Sequence, residues 1–239
     1  AKTFDITFED KDGQHKLVYQ TCAGVSDRVI ASVIGIHGDE KGLRLPPKVS
    51  PNQVTIIPIL FKKGKEEVLA KCSQIKEQLE DAGLRVYIDD RDIRPGKKFN
   101  DWELKGTPLK LELGPRDLEN NITIAMRRDE GEKIELTLDD SLSTNVIDLL
   151  EKSDKNLSEI AWDFQKEHVK FTENIDEISE LVEAGNVVKF YWCGDEAVGK
   201  EIEEKTGYDI LGIQEEVSEG KCIASGEDAK YIALIAKTY

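Results

Sequence analysis

Hydrophobic and polar positions alternate with period two on both sides of a strongly charged stretch, residues 83–115. Leu84, Val86 and Ile88 alternate with Arg85, Tyr87 and Asp89, and Leu109, Leu111 and Leu113 alternate with Lys110 and Glu112. Each pattern predicts a half-buried strand. Arg94-Pro95-Gly96 breaks the chain between them and leaves Lys97, Lys98, Phe99, Trp102, Glu103 and Lys105 on a basic connection. Upstream, residues 53–60 form a continuous apolar run, the pattern of a strand buried on both faces. Residues 65–82 carry an apolar stripe of Val68, Cys72, Ile75 and Leu79 and predict an amphipathic helix ended by Gly83. Two more strands are expected at 121–126 and 134–138. Strand–helix–strand order implies a mainly parallel sheet with helices on both faces.

The chain before this unit reads differently. Phe4, Ile6 and Phe8 alternate with polar residues, Asp10-Lys11-Asp12-Gly13 signals a turn, and Leu17-Val18-Tyr19 follows, so a hairpin is expected. Val25, Val29 and Val33, with Ile30 and Ile34, repeat at helical spacing and predict a buried helix over about 26–37, with Ser26 as its N-cap. A proline-rich segment from Pro46 to Pro51 marks a domain boundary. Beyond residue 140 a long helix is expected over about 146–168, followed by a helix at 175–184. A strand at 187–192, a helix at 199–205 and a strand at 231–235 complete a small α+β domain. The fold class is α/β, in three parts: 1–45, 46–140 and 141–239.

Charge changes this picture in one respect. The formal net charge of -15 argues against a general nucleic-acid binder, but residues 131–239 alone carry -15 and contain no arginine. Residues 46–130 are balanced at +1, so their cations remain free to meet phosphate. No apolar run is long enough for a membrane span and no signal-peptide pattern precedes the hairpin. Cys22, Cys72, Cys193 and Cys222 are scattered rather than patterned as a disulfide framework, which points to a reducing cytoplasm.

Two stretches carry candidate chemistry. A basic connection with a stackable ring and a carboxylate suits single-stranded nucleic acid. The alternative is a solvated charged loop with Phe99 and Trp102 tucked into the core. Arg28 lies in the first turn of the N-terminal helix, where backbone N–H groups and a guanidinium together suit a phosphate. The alternative is a surface pair with Asp27 or Asp39.

The order of residues adds a resemblance. The run DDRDIRPGKKFNDWELKGTPLKLELGPRD resembles the anticodon-binding domain of prolyl-tRNA synthetases. GVSDR followed by HGDEKGLRLPP resembles the third signature motif of class II synthetases in its prolyl form. The resemblance implies that 1–45 is the remnant of an antiparallel catalytic sheet. It also implies that Arg28 and Ser26 bind ATP, with Gln20, Thr21 and Gly24 lining the nucleotide site and Mg2+ as helper. In the anticodon domain it implies Arg94, Lys98, Phe99, Glu103 and Lys105 as RNA contacts, with Arg116 as an outer candidate. The proline anticodon carries two guanines: Phe99 would stack on a base, Glu103 would accept from a guanine edge, and Lys105 would meet an acceptor or phosphate. Trp102 is expected in the core.

The family's first two motifs and its proline pocket lie upstream of this sequence, so an incomplete active site is expected, completed by a longer polypeptide or a partner segment. The partners implied are proline tRNA, ATP, proline and a second copy of the chain in a homodimer. A different class remains open: a non-catalytic tRNA-binding or regulatory module retaining a catalytic remnant. The archaeal and eukaryotic branch of the family often carries a four-cysteine zinc site near its C-terminus. Here Cys193 and Cys222 match it, but the other two positions fall on Val198 and Ser225, so zinc is not expected. The branch also ends in a tyrosine that folds back toward the active site, and Tyr239 matches it.

Overall fold

The computed structural model describes residues 1–61 and 64–238. The chain divides into two compact units, Ala1–Ile147 and Asp148–Tyr239. Tyr239 itself lies outside the described residues. Among the described residues, no helix is long and apolar enough to cross a membrane.

The first unit is built on a five-stranded sheet of order β4-β3-β5-β6-β7. Its strands are β3 (Val54–Pro58), β4 (Val86–Ile88), β5 (Leu109–Leu113), β6 (Ile122–Arg127) and β7 (Lys133–Thr137). β3 is buried at every position, as its unbroken apolar run dictates. α2 (Lys65–Asp81) buries Val68, Cys72, Ile75 and Leu79 and packs on β3 and β4. Cys72 lies within that stripe, and burial pushes its thiol up to about 12. Gly83, at φ +84°, follows the end of α2.

The expectation of a mainly parallel sheet needs correction. β3 pairs in parallel with β4 and β5, but β5–β6 and β6–β7 are antiparallel. The reason is connection length. Only the short helix α4 (Pro115–Glu119) separates β5 from β6, too little chain for a crossover, and a tight loop joins β6 to β7. β5 is also buried on both faces rather than one, because it is the central strand. Its Lys110 and Glu112 are therefore interior residues.

Residues 1–37 depart from expectation in burial rather than in type. The hairpin forms, with β1 (Thr7–Glu9) pairing antiparallel with β2 (His15–Leu17). α1 (Arg28–His37) forms too, but none of its residues is buried. The expected buried helix is instead an exposed apolar face of Val29, Ile30, Ile34 and Ile36, accompanied by Phe4, Phe8 and Tyr19. Ser26 does not cap it: Asp27 holds the N-cap position without a side-chain bond, and Ser26 offers only its carbonyl, to the Val29 N–H.

The second unit has a four-stranded sheet of order β10-β11-β9-β8. It comprises β8 (Val169–Phe171), β9 (Val187–Trp192), β10 (Asp209–Glu216) and β11 (Tyr231–Ala236). Its core is Ile178, Val182, Val188, Phe190, Ile202, Ala233 and Ile235, contributed by the sheet and by α6 (Ile178–Glu183) and α7 (Glu196–Thr206). The sequence pattern does not announce β8 or β10. β10 is an edge strand interrupted by two register shifts around Gly212, which blurs its alternation. α5 (Leu142–His168) gives its first turns to the first unit and the remainder to the second. α7 starts earlier than expected because the Asp195 carboxylate accepts from the Ala197 and Val198 N–H groups.

Candidate nucleic-acid interface

The basic connection is a helix. α3 (Pro95–Leu104) begins with Pro95 at its first position, where the missing N–H would have no helical partner anyway. Helical spacing sorts its residues into two four-apart pairs on different faces. Lys98 and Trp102 point inward and are the buried residues of the helix. Phe99 and Glu103, one step further round, stay at the surface edge.

The inner pair converges on Asp89, whose side chain is fully buried. Trp102 Nε1 donates to Asp89 Oδ2 at 2.8 Å, and Lys98 Nζ donates to the Asp89 carbonyl at 2.8 Å. Arg91 donates to both Asp89 carboxylate oxygens, at 2.8 and 2.7 Å, and reaches Asp101 at 2.9 Å. Burial alone would raise the Asp89 pKa, but the bonds from Arg91 and Trp102 outweigh it and hold the carboxyl at about 2. Lys98 was expected to meet RNA. At 2% exposure, with its ammonium on a backbone carbonyl, it is a structural residue instead. Desolvation lowers its pKa.

Of the outer pair, Glu103 lines a recess of mixed charge. Its lining includes Asp39, Lys41, Glu103, Lys110, Met126, Arg127 and Arg128. Lys110 enters from β5, with its Nζ 5.9 Å from the centre of the Phe99 ring, within reach of a cation–π contact. Desolvation lowers the Lys110 pKa, and Glu103 and Glu112 oppose that effect. Lys41 Nζ lies 3.7 Å from Glu103 Oε1. Arg128 donates from Nε to the Glu103 carbonyl at 3.0 Å and from its two terminal nitrogens to Asp39, at 2.9 and 2.5 Å. Those bonds hold the Asp39 carboxyl at about 2 against burial.

The other sequence candidates are distributed around this recess or away from it. Lys105 is exposed and stands 4.5 Å over the Trp102 ring. Arg94 caps the opposite end of α3, about 13 Å along the axis from Glu103. Arg116 is exposed on α4, beyond the far end of β5, and does not line the recess. Gln20, Thr21, Gly24, Ser26 and Arg28 are all exposed, and none of them lines it either. Asp39 pairs with Arg128 and Arg44, not with Arg28.

Cys193 and Cys222 are free and buried in the second unit. Burial opposes ionisation of Cys222. Hydrogen bonds from the Ser225 hydroxyl and from the N–H groups of Ser225, Ala224 and Cys193 outweigh that and lower its pKa. Among the described residues no cluster of three or more His, Cys, Asp or Glu side chains could hold a metal.

Lys110, Arg128 and Asp39 line the recess but are not among the sequence candidates for RNA contact. The available signal for Lys110 was a cation and a carboxylate alternating with three leucines directly after α3, on a strand with helical neighbours.

The two depressed carboxyls make stability pH-dependent. Both pKa values fall from 3.8 unfolded to about 2 folded. Their contribution is full about one pH unit above the unfolded value of 3.8 and is lost as pH falls through 3.8 to about 2, on the order of 2 kcal/mol for each. The urea midpoint is expected to drop steadily from about pH 5 to about pH 2. Asp39→Asn combined with Asp89→Asn should flatten that profile. An unchanged slope in the double variant would contradict the assignment.

Comparison with known proteins bears on this geometry. Residues 53–146 match the family model for the anticodon binding domain, and residues 175–239 match that for the prolyl-tRNA synthetase C-terminal domain. The chain is 71% identical over its whole length to a proline–tRNA ligase of Methanobrevibacter smithii, covering 51% of that protein. It is 49% identical to one of Methanothermobacter thermautotrophicus, over 96% of this chain and 47% of that protein. A third, from Methanosarcina mazei, is 45% identical over the whole chain and 50% of its own length. The chain therefore spans about half the length of the curated relatives it matches.

Proposed function

We propose that this chain, which belongs to the prolyl-tRNA synthetase family through its anticodon-binding and C-terminal domains, is the RNA-reading portion of an enzyme that joins proline to its tRNA. The observation that carries the proposal is the mixed-charge recess beside α3, where the Glu103 carboxylate and the buried Lys110 ammonium line the wall and the Phe99 ring lies 5.9 Å from that ammonium. An unpaired guanine offers a complementary set. Its amino group donates, its O6 accepts, and its face stacks. In this reading Glu103 accepts from the guanine edge, Lys110 donates to O6, and Phe99 stacks on a base. Lys105 and Arg94 meet phosphates on either side, with Arg116 further out.

Residues 20–28 fit a phosphate by their chemistry: the Arg28 guanidinium, the Thr21 and Ser26 hydroxyls and the N–H groups at the start of α1, all exposed. Gln20 and Gly24 lie in the same stretch. These groups are too few to hold ATP by themselves. We assign the rest of the ATP and proline sites to the portion of the relatives that this chain does not span. Mg2+ would neutralise the ATP phosphates there. The hairpin and α1, with their exposed apolar face, then represent the remnant of the catalytic sheet. The homodimer and the cytoplasmic setting belong to the same reading.

The test is direct binding of stem-loop RNA. The chain is expected to prefer a loop with the proline anticodon guanines over the same loop with adenines in their place, and equal affinity for both would defeat the proposal. Phe99→Leu keeps the bulk but removes the ring, and should weaken binding to both loops by about 1–3 kcal/mol, the worth of one stacked base.

A further inference from the structure

We infer that Asp39 is a positioning residue for the RNA recess: it keeps the Arg128 guanidinium occupied, so that the Glu103 carboxylate, paired only loosely with the exposed Lys41 at 3.7 Å, stays available to a base. The inference rests on the proposed RNA-reading role of Glu103. Arg128 follows β6 directly, and its side chain is 4% exposed. One of its nitrogens already holds the Glu103 backbone carbonyl. The guanidinium is thus tethered to the residue whose carboxylate lines the recess from α3. An arginine in that position has an obvious alternative partner, the Glu103 carboxylate, in a bidentate pair. That pairing would remove the acceptor from the recess. Asp39 prevents it by accepting from both terminal nitrogens.

The placement of Asp39 is itself built. The segment 38–45 runs against the end of α3, with the Leu43 N–H on the Leu104 carbonyl and the Leu45 N–H on the Gly106 carbonyl. Gly42 (φ +129°) and Gly106 (φ +71°) permit this backbone contact: a Cβ on Gly42 would stand 2.6 Å from the Leu104 oxygen, and one on Gly106 2.6 Å from Leu43. The Asp39 carboxylate also accepts from the Lys41 N–H at 2.9 Å, which fixes its orientation. The segment therefore delivers one carboxylate to Arg128 and, through Lys41, one exposed ammonium to the rim of the recess.

The experiment compares affinity for guanine-bearing and adenine-substituted stem-loop RNA in the wild-type chain, Asp39→Asn and Asp39→Glu, with thermal melting of each sample. Asp39→Asn keeps the shape but weakens the hold on Arg128, and the guanine preference is expected to fall about tenfold. Asp39→Glu should recover most of the preference, because a carboxylate still meets the guanidinium. An Asp39→Asn chain with a lower melting temperature but an undiminished preference would overturn the inference, leaving Asp39 a purely structural residue. So would an Asp39→Glu chain no better than Asp39→Asn. If Asp39→Asn does not fold, Arg128→Lys carries the same measurement. A single ammonium cannot hold the Glu103 carbonyl and both Asp39 oxygens, so the preference should fall, and an unchanged preference overturns the inference. A wild-type chain without guanine preference would refute the RNA-reading role itself, and is recognised by the wild-type sample alone.

Discussion

Trp102→Ala is expected to destabilise the first unit by about 3–5 kcal/mol, the usual cost of removing a large buried aromatic. Three consequences add in the same direction. The ring leaves a cavity between α3 and the sheet, where Tyr87 packs against it at 5.1 Å between centroids. Asp89 loses the indole donor and is left with Arg91 and the backbone. Lys105 loses the ring face beneath its ammonium. Urea denaturation followed by far-UV circular dichroism measures the sum. A loss below about 1 kcal/mol would mean that α3 is not anchored through Trp102, contrary to its burial.

Glu103→Ala is expected to act on recognition and to leave the fold nearly untouched. The side chain is 30% exposed and its ion pair with Lys41 spans 3.7 Å, so its removal should cost less than about 1 kcal/mol of stability. Discrimination between guanine-bearing and adenine-substituted stem-loops should fall by about 1–3 kcal/mol, roughly 10- to 100-fold, the worth of one good edge contact. Affinity for the adenine-substituted loop should hardly change. Equal losses on both RNAs would show that Glu103 contributes to the general surface and reads no base.

These two residues show how far the sequence is legible. Trp102 and Glu103 are adjacent, and composition assigns them no different duties. Helical spacing does, because it places Trp102 with Lys98 and Glu103 with Phe99. That spacing was obscured by Arg94-Pro95-Gly96. Proline followed by glycine reads as a break, although proline is equally at home in the first turn of a helix. Read as a loop, the connection gives no reason to bury Lys98, and the family resemblance alone places it on the RNA. The strands β3, β6 and β7 were legible because their residues keep a regular pattern over five or six positions. The parallel sheet was not, because pairing direction depends on what the connection can span rather than on the strand. Lys110 was hidden for a related reason: an alternating lysine looks solvated until the strand is known to be central. Asp39 and Arg128 are 89 positions apart in sequence, and no local pattern links them.

The sorting of α3 into an anchored side and an outer side has an evolutionary consequence. If Phe99 and Glu103 read the RNA as proposed, substitutions there would change what the helix recognises without touching the Lys98 and Trp102 attachments that hold it in place. A helix arranged this way can be re-tasked toward a different set of bases by a few exchanges on one side. Its mounting in the domain would be inherited intact.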